Sequence, residues 1–186
     1  MITAAAVIRQ TDRALRPVAR MQAEHFAMQT TNEIIADTVA AYIDGSQCTY
    51  DDFAAILYDE NGRVSTDEAL PSGINRVQSD LTRLINNQLE NGMSSPSYIP
   101  IGSLTDSYML AGKGPRLKIR VCPAREASVK LVSSFDSAGM NQTRHRITAV
   151  IHVSLTSSLP LYSFDTEADF EFLIAENIIV GSVPFS

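Results

Sequence analysis

Arg146-Ile147-Thr148-Ala149-Val150-Ile151-His152-Val153-Ser154-Leu155 (RITAVIHVSL) is the stretch that decides the fold. Ile147, Ala149, Ile151, Val153 and Leu155 share one parity, with Thr148, His152 and Ser154 between them. Successive side chains of an extended chain point to opposite faces, so this alternation describes a strand with one face buried. Three neighbouring segments repeat it. Leu117, Ile119 and Val121 alternate with Lys118 and Arg120, and Val129, Leu131 and Phe135 alternate across Ser128 to Asp136. Ala168, Phe170, Phe172 and Ile174 alternate with Glu167, Asp169 and Glu171. Four half-buried strands in succession predict an antiparallel sheet, because parallel strands covered on both faces read as continuous apolar runs.

A sheet with one apolar face needs a cover, and the first half of the chain supplies it. From about Thr11 to Ile43 the sequence predicts one helix, with Leu15, Val18, Phe26, Ile34, Ile35, Val39 and Tyr42 as its apolar stripe, Pro17 near its start and Gly45 as its stop. A hairpin follows: Phe53 to Tyr58 as one strand, Asp59-Glu60-Asn61-Gly62 as the turn, and the return from Arg63. A second amphipathic helix is expected from about Ser72 to Asn91, with Ile74, Val77, Leu81, Leu84, Ile85 and Leu89 on its buried side. Met93 to Pro115 reads as a connection with one short helix, opened by Ser103 and Asp106 as a capping box. The expectation is a single α+β domain over 1–186, with a long helix, a hairpin and a second helix packed on one face of a C-terminal sheet of about four strands.

Composition sets the outer bounds. The chain has 186 residues, 45% hydrophobic and 19% charged, with 15 basic and 21 acidic residues and a net charge of -6. Such a balance belongs to a folded domain and argues against a nucleic-acid partner, whose phosphates call for a basic surface. Cys48 and Cys122 match no metal or redox spacing; they read as small apolar residues in or near the core, with a disulfide left open. The apolar run Met1 to Ile8 is too short to cross a bilayer. It is either an ordinary helix start or, over residues 1–10, the last turns of a membrane helix.

No catalytic constellation is present. His25, His145 and His152 lack metal-ligand spacing, and no GxSxG elbow occurs. Gly112-Lys113-Gly114-Pro115 precedes a strand and lacks the phosphate-loop spacing. No cofactor is expected. His145 shares the buried parity of Ile147 and should be a hydrogen-bonded structural residue, whereas His152 belongs to the solvent face. The remaining concentration of polar groups is Gly139-Met140-Asn141-Gln142-Thr143-Arg144-His145-Arg146. It reads first as a hairpin connection and second as a binding loop.

That segment with Ile147, GMNQTRHRI, resembles the signature of the YunB family of sporulation proteins. Ala14-Leu15-Arg16-Pro17, Asn32-Glu33, Ile99-Pro100-Ile101-Gly102 and Gly114-Pro115 are similar to further family segments in the same order. So is the closing stretch, Ala175-Glu176-Asn177-Ile178-Ile179-Val180-Gly181-Ser182-Val183-Pro184. The resemblance implies a protein of spore-forming Firmicutes, anchored by one membrane helix ahead of this domain, with MITAAAVI as the end of that anchor. It places the domain outside the mother-cell cytoplasm, around the forespore, and implies protein partners at those membranes and no enzymatic activity. By that reading Asn141, Gln142, Thr143, Arg144, His145, Arg146 and Glu176 are the binding candidates, with no catalytic residue and no metal ligand. Two other functions compete. One is a carrier of lipid or another small apolar ligand, lined by Phe135, Phe170 and Phe172; the other is an envelope-acting hydrolase using Glu176, His145 and Arg144.

Overall fold

The computed structural model describes residues 2–46, 49–58, 64–93, 96–104, 109–139, 142–160 and 162–180. Helix α1 spans Ile2–Ser46 with Pro17 inside it. The hairpin strands are β1 (Ala54–Tyr58) and β2 (Val64–Ala69), and α2 covers Pro71–Gly92. The remaining strands are β3 (Ser97–Pro100), β4 (Arg116–Pro123), β5 (Ser128–Gly139), β6 (Gln142–Leu159) and β7 (Tyr162–Val180). This is the expected α+β arrangement. The turn proposed at Asp59–Gly62, the Asp106 half of the capping box, Cys48 and Asn141 lie outside the described residues.

The chain divides into two compact units, Met1–Ile34 with Leu89–Glu126 and Ser154–Ala168, and Ile35–Gln88 with Ala127–Val153 and Asp169–Ser186. In the first, β3 pairs antiparallel with β4, and β4 pairs antiparallel with the end of β6 through Arg120↔Ser158 to Pro123↔Leu155. Ile119, Val121, Leu155 and Ala168 are buried in this unit together with Leu89 and Met93. The helix contributes Ala19, Ala23, Ala27 and Thr31 to the same core. Every fourth residue of the seam is therefore small, while Val18, Phe26 and Ile34 flank it half-buried. In this unit the large residues predicted as the stripe, Val18, Phe26 and Ile34, are its shoulders, because small side chains at the centre let a helix approach its support closely. Thr31 closes its own polar demand by donating to the Ala27 carbonyl oxygen at 2.7 Å.

A strand and a 3-10 turn occupy part of the predicted connection. After β3, the turn Ile101–Leu104 runs past the segment before β4. Ile101 N–H donates to the Pro115 carbonyl and Gly102 N–H to that of Lys113, both at 2.9 Å. A Cβ on Gly102 would stand 1.9 Å from the Leu110 carbonyl oxygen, so only glycine allows this crossing. The turn expected at IPIG is thus the place where two backbone segments touch.

In the second unit Val77, Leu81 and Ile85 of α2 are buried, as are Val129 of β5 and Ile147, Ala149, Ile151 and Val153 of β6. Ile35 and Val39 of α1 join that core. Side chains from α2 also finish the sheet. Asn86 donates to the Ala127 carbonyl at 3.0 Å and accepts from its N–H at 2.7 Å, at the entry to β5. Gln78 accepts the Leu131 N–H at 3.3 Å. Val129↔Ile151 and Phe135↔His145 set the β5–β6 register, which continues to Gly139↔Gln142 with a shift after Ser137.

Two expectations need correction. Cys122 is a free, exposed thiol, because even-numbered positions of β4 face outward. Phe135, assigned to the buried parity, is 56% exposed near the end of its strand.

Candidate functional site

The polar segment is not a loop. Gln142, Thr143, Arg144, His145 and Arg146 begin β6 and pair with Ser134 through Gly139 of β5. Strand geometry therefore divides them, sending His145 to one face and Arg144 and Arg146 to the other.

His145 turns inward and is only 4% exposed. Its Nδ1 meets the Tyr50 hydroxyl at 2.5 Å and its Nε2 meets the Ser133 hydroxyl at 2.7 Å. Phe135 stacks on the imidazole with centroids 4.1 Å apart, and the Tyr50 ring meets it edge-on. A buried imidazole has to satisfy both ring nitrogens, and here both have hydroxyl partners. The ring ties β5 to the short 3-10 turn Tyr50–Asp52 that precedes β1. The sequence pointed to a hydrogen-bonded role through parity alone. Tyr50 and Ser133 carried no signal, since they meet His145 only through the register and the fold of the unit.

Arg144 and Arg146 turn outward, and both reach Glu176 of β7. Arg146 Nε donates to Glu176 Oε2 at 3.1 Å, and Arg144 Nε lies 4.0 Å from Oε1. Asp136 of β5 approaches Arg146 at 3.7 Å. Two cations and two anions from three strands thus share a partly exposed patch. Gln142 and Thr143 are exposed beside it on β6.

Glu176 reaches this patch through a change of phase in β7. Asp169, Glu171 and Leu173 are exposed, and beyond buried Ile174 the exposed residues become Glu176, Ile178 and Val180. The contacts shift in the same sense. His152 to Arg146 is six residues on β6, whereas their partners Asp169 and Glu176 stand seven apart. A change of phase of one residue re-aims the side chains that follow it, Glu176 first among the charged ones. Strict alternation from Ala168 would have sent Glu176 inward.

The two motifs that resemble the YunB family, thirty residues apart in the chain, thus meet through the Arg146–Glu176 bond. The comparisons agree with that resemblance. Residues 96–186 match the family model described as "Sporulation protein YunB". The chain is also similar to the Sporulation protein YunB of Bacillus subtilis (strain 168), with 22% identity over 181 residues, 92% of this chain and 71% of that protein. The chain resembles the YunB family of sporulation proteins, in its second half by the family model and along most of its length by the Bacillus subtilis relative. No solved structure matches it. The family-matched region holds both motifs and all seven candidate residues, although Gly181 to Pro184 lie outside the described residues.

Proposed function

We propose that this sporulation-family protein acts without catalysis, as a membrane-anchored domain that makes protein contacts at the forespore envelope. The observation that carries this reading is the division of the polar segment. Arg144, Arg146 and Glu176 form an ordered ionic patch on the outer face, while His145 is withdrawn to the other face with both nitrogens engaged. A hydrolase built on Glu176, His145 and Arg144 would need those groups to converge on one reacting atom. A partly exposed cluster in which Arg146 bonds Glu176 and Arg144 stands beside the same carboxylate suits recognition of a partner's polar groups, because guanidinium geometry is planar and directional. Membrane anchoring rests on the resemblance to that family; among the described residues no helix is long and apolar enough to cross a bilayer.

The test is affinity capture after cross-linking in sporulating cells, with wild-type protein and the Arg144→Ala variant compared. The reading expects a set of captured proteins that depends on Arg144. Recovery of no partner, with the two proteins behaving alike, would overturn it.

A further inference from the structure

The net charge of -6 hides a basic stretch in the first unit, on β4 and the turn before it, two strands away from the exposed Asp165 and Glu167 of β7. Between Asp106 and Glu126 the sequence holds five basic residues, Lys113, Arg116, Lys118, Arg120 and Arg125, and no acidic one. All five are exposed. Among the described residues, none of the five makes an ion pair.

Their placement is ordered. Arg116, Lys118 and Arg120 occupy alternate positions of β4 and so share its outward face, opposite buried Ile119 and Val121. Tyr98 of β3 pairs directly with Lys118 and is 51% exposed on that same face. Past the ends of these strands, the contacts of Ile101 with Pro115 and of Gly102 with Lys113 carry the ladder to the turn at 109–112. That turn presents Met109, 81% exposed, and Leu110, 48% exposed. It is braced rather than loose. Lys113 N–H donates to the Leu110 carbonyl at 2.9 Å, Gly112 N–H donates to the Ser103 hydroxyl at 3.0 Å, and Gln22 of α1 donates to the Ser103 carbonyl at 3.0 Å.

We propose that this face of the first unit docks on an anionic lipid bilayer, a contact separate from the Arg144–Glu176 patch. Two braced, unbranched or γ-branched apolar side chains at a tip can enter the acyl boundary, while a tyrosine beside them suits the headgroup level. Basic residues ranged behind the tip neutralise acidic headgroups, and attraction to such a surface grows with each lysine or arginine near it. A purely acidic soluble partner would use the five cations but leave Met109 and Leu110 without a role. The alternating basic strand and the apolar tip together select a surface that is charged outside and apolar beneath.

The experiment is co-sedimentation of the whole chain with large vesicles of phosphatidylcholine alone, or with roughly one third phosphatidylglycerol, at moderate salt. Partitioning should favour the anionic vesicles by about tenfold or more and weaken as salt is raised. The Lys118→Gln/Arg120→Gln double variant should bind about 25-fold more weakly, from roughly fivefold per lost cation. Met109→Ser/Leu110→Ser, which keeps every charge, should bind about tenfold more weakly. Both pairs are surface substitutions, and a wild-type thermal melt verifies that each variant is folded. Equal sedimentation with the two kinds of vesicle overturns the assignment. It is also overturned if poly-aspartate in solution displaces the protein from vesicles while the Met109→Ser/Leu110→Ser variant binds as wild type does. That pattern identifies an acidic macromolecule as the occupant.

Discussion

Arg144, His145 and Arg146 are consecutive, yet they belong to two regions with different physics. The inner region places His145 among Tyr50, Ser133 and Phe135, where a ring removed from water has both nitrogens matched by hydroxyls. The outer region places both arginines around Glu176, where water competes for every ionic contact. Burial converts the inner contacts into stability, because an unmatched polar group there is costly. Exposure leaves the outer contacts with little stabilising value, since screened surface pairs contribute about 0–1 kcal/mol. The inner side holds the strand in register; the outer side is where binding chemistry can reside.

This contrast is broken most directly at His145. His145→Ala should lower the unfolding free energy by ~3 kcal/mol, from lost packing and an unmatched Tyr50 hydroxyl, measured by urea denaturation. A loss no larger than that of the outer variants would dissolve the distinction. Ser133→Ala removes one partner of the ring and should cost ~1 kcal/mol in the same assay. Phe135→Ala sharpens the inner boundary. Although its ring is more than half exposed, its stacking on the imidazole predicts a cost of about 1 kcal/mol, where an unstacked surface phenylalanine would cost almost nothing. Smallest of all should be Arg146→Ala and Glu176→Gln, each changing stability by less than about 1 kcal/mol, with the double variant no worse than the sum of the two.

Much of this was legible in the residues, and the omissions have physical causes. The alternation of Ile147 through Leu155 identified β6 because all five odd positions of that stretch are apolar and buried. The repeat at Val77, Leu81, Ile85 and Leu89 placed α2 within a residue at each end. β3 escaped notice because four residues ending in Pro100 are too few for periodicity, and proline suits an edge. In α1 the stripe held at Ile35 and Val39, while Val18 and Phe26 stand one position before the buried Ala19 and Ala27, since size rather than hydropathy decides which residues sit closest to a support. At the site, parity foretold that His145 would be inward and the arginines outward. Glu176 was placed beside them only by a resemblance, because the change of phase in β7 reverses a parity that the preceding residues keep. Tyr50 was invisible for a simpler reason: no local pattern reports a contact across ninety-five residues.

The change of phase in β7 also supplies a way to sharpen the account without touching a charged group. Deleting Ala175 should restore strict alternation, turn Glu176 away from the arginines, and reduce stability by more than either exposed substitution does, through misplacement of the half-buried residues after it. Hydrogen exchange along β7 would record the loss.

The most direct test of the central claim uses the double variant Arg144→Ala/Arg146→Ala in cross-linked capture from sporulating cells, read against its own urea midpoint. The account predicts a midpoint close to wild type and loss of the proteins that wild type recovers. A variant that keeps the midpoint and recovers the same proteins would contradict the claim that the outer face of this strand is where partners bind.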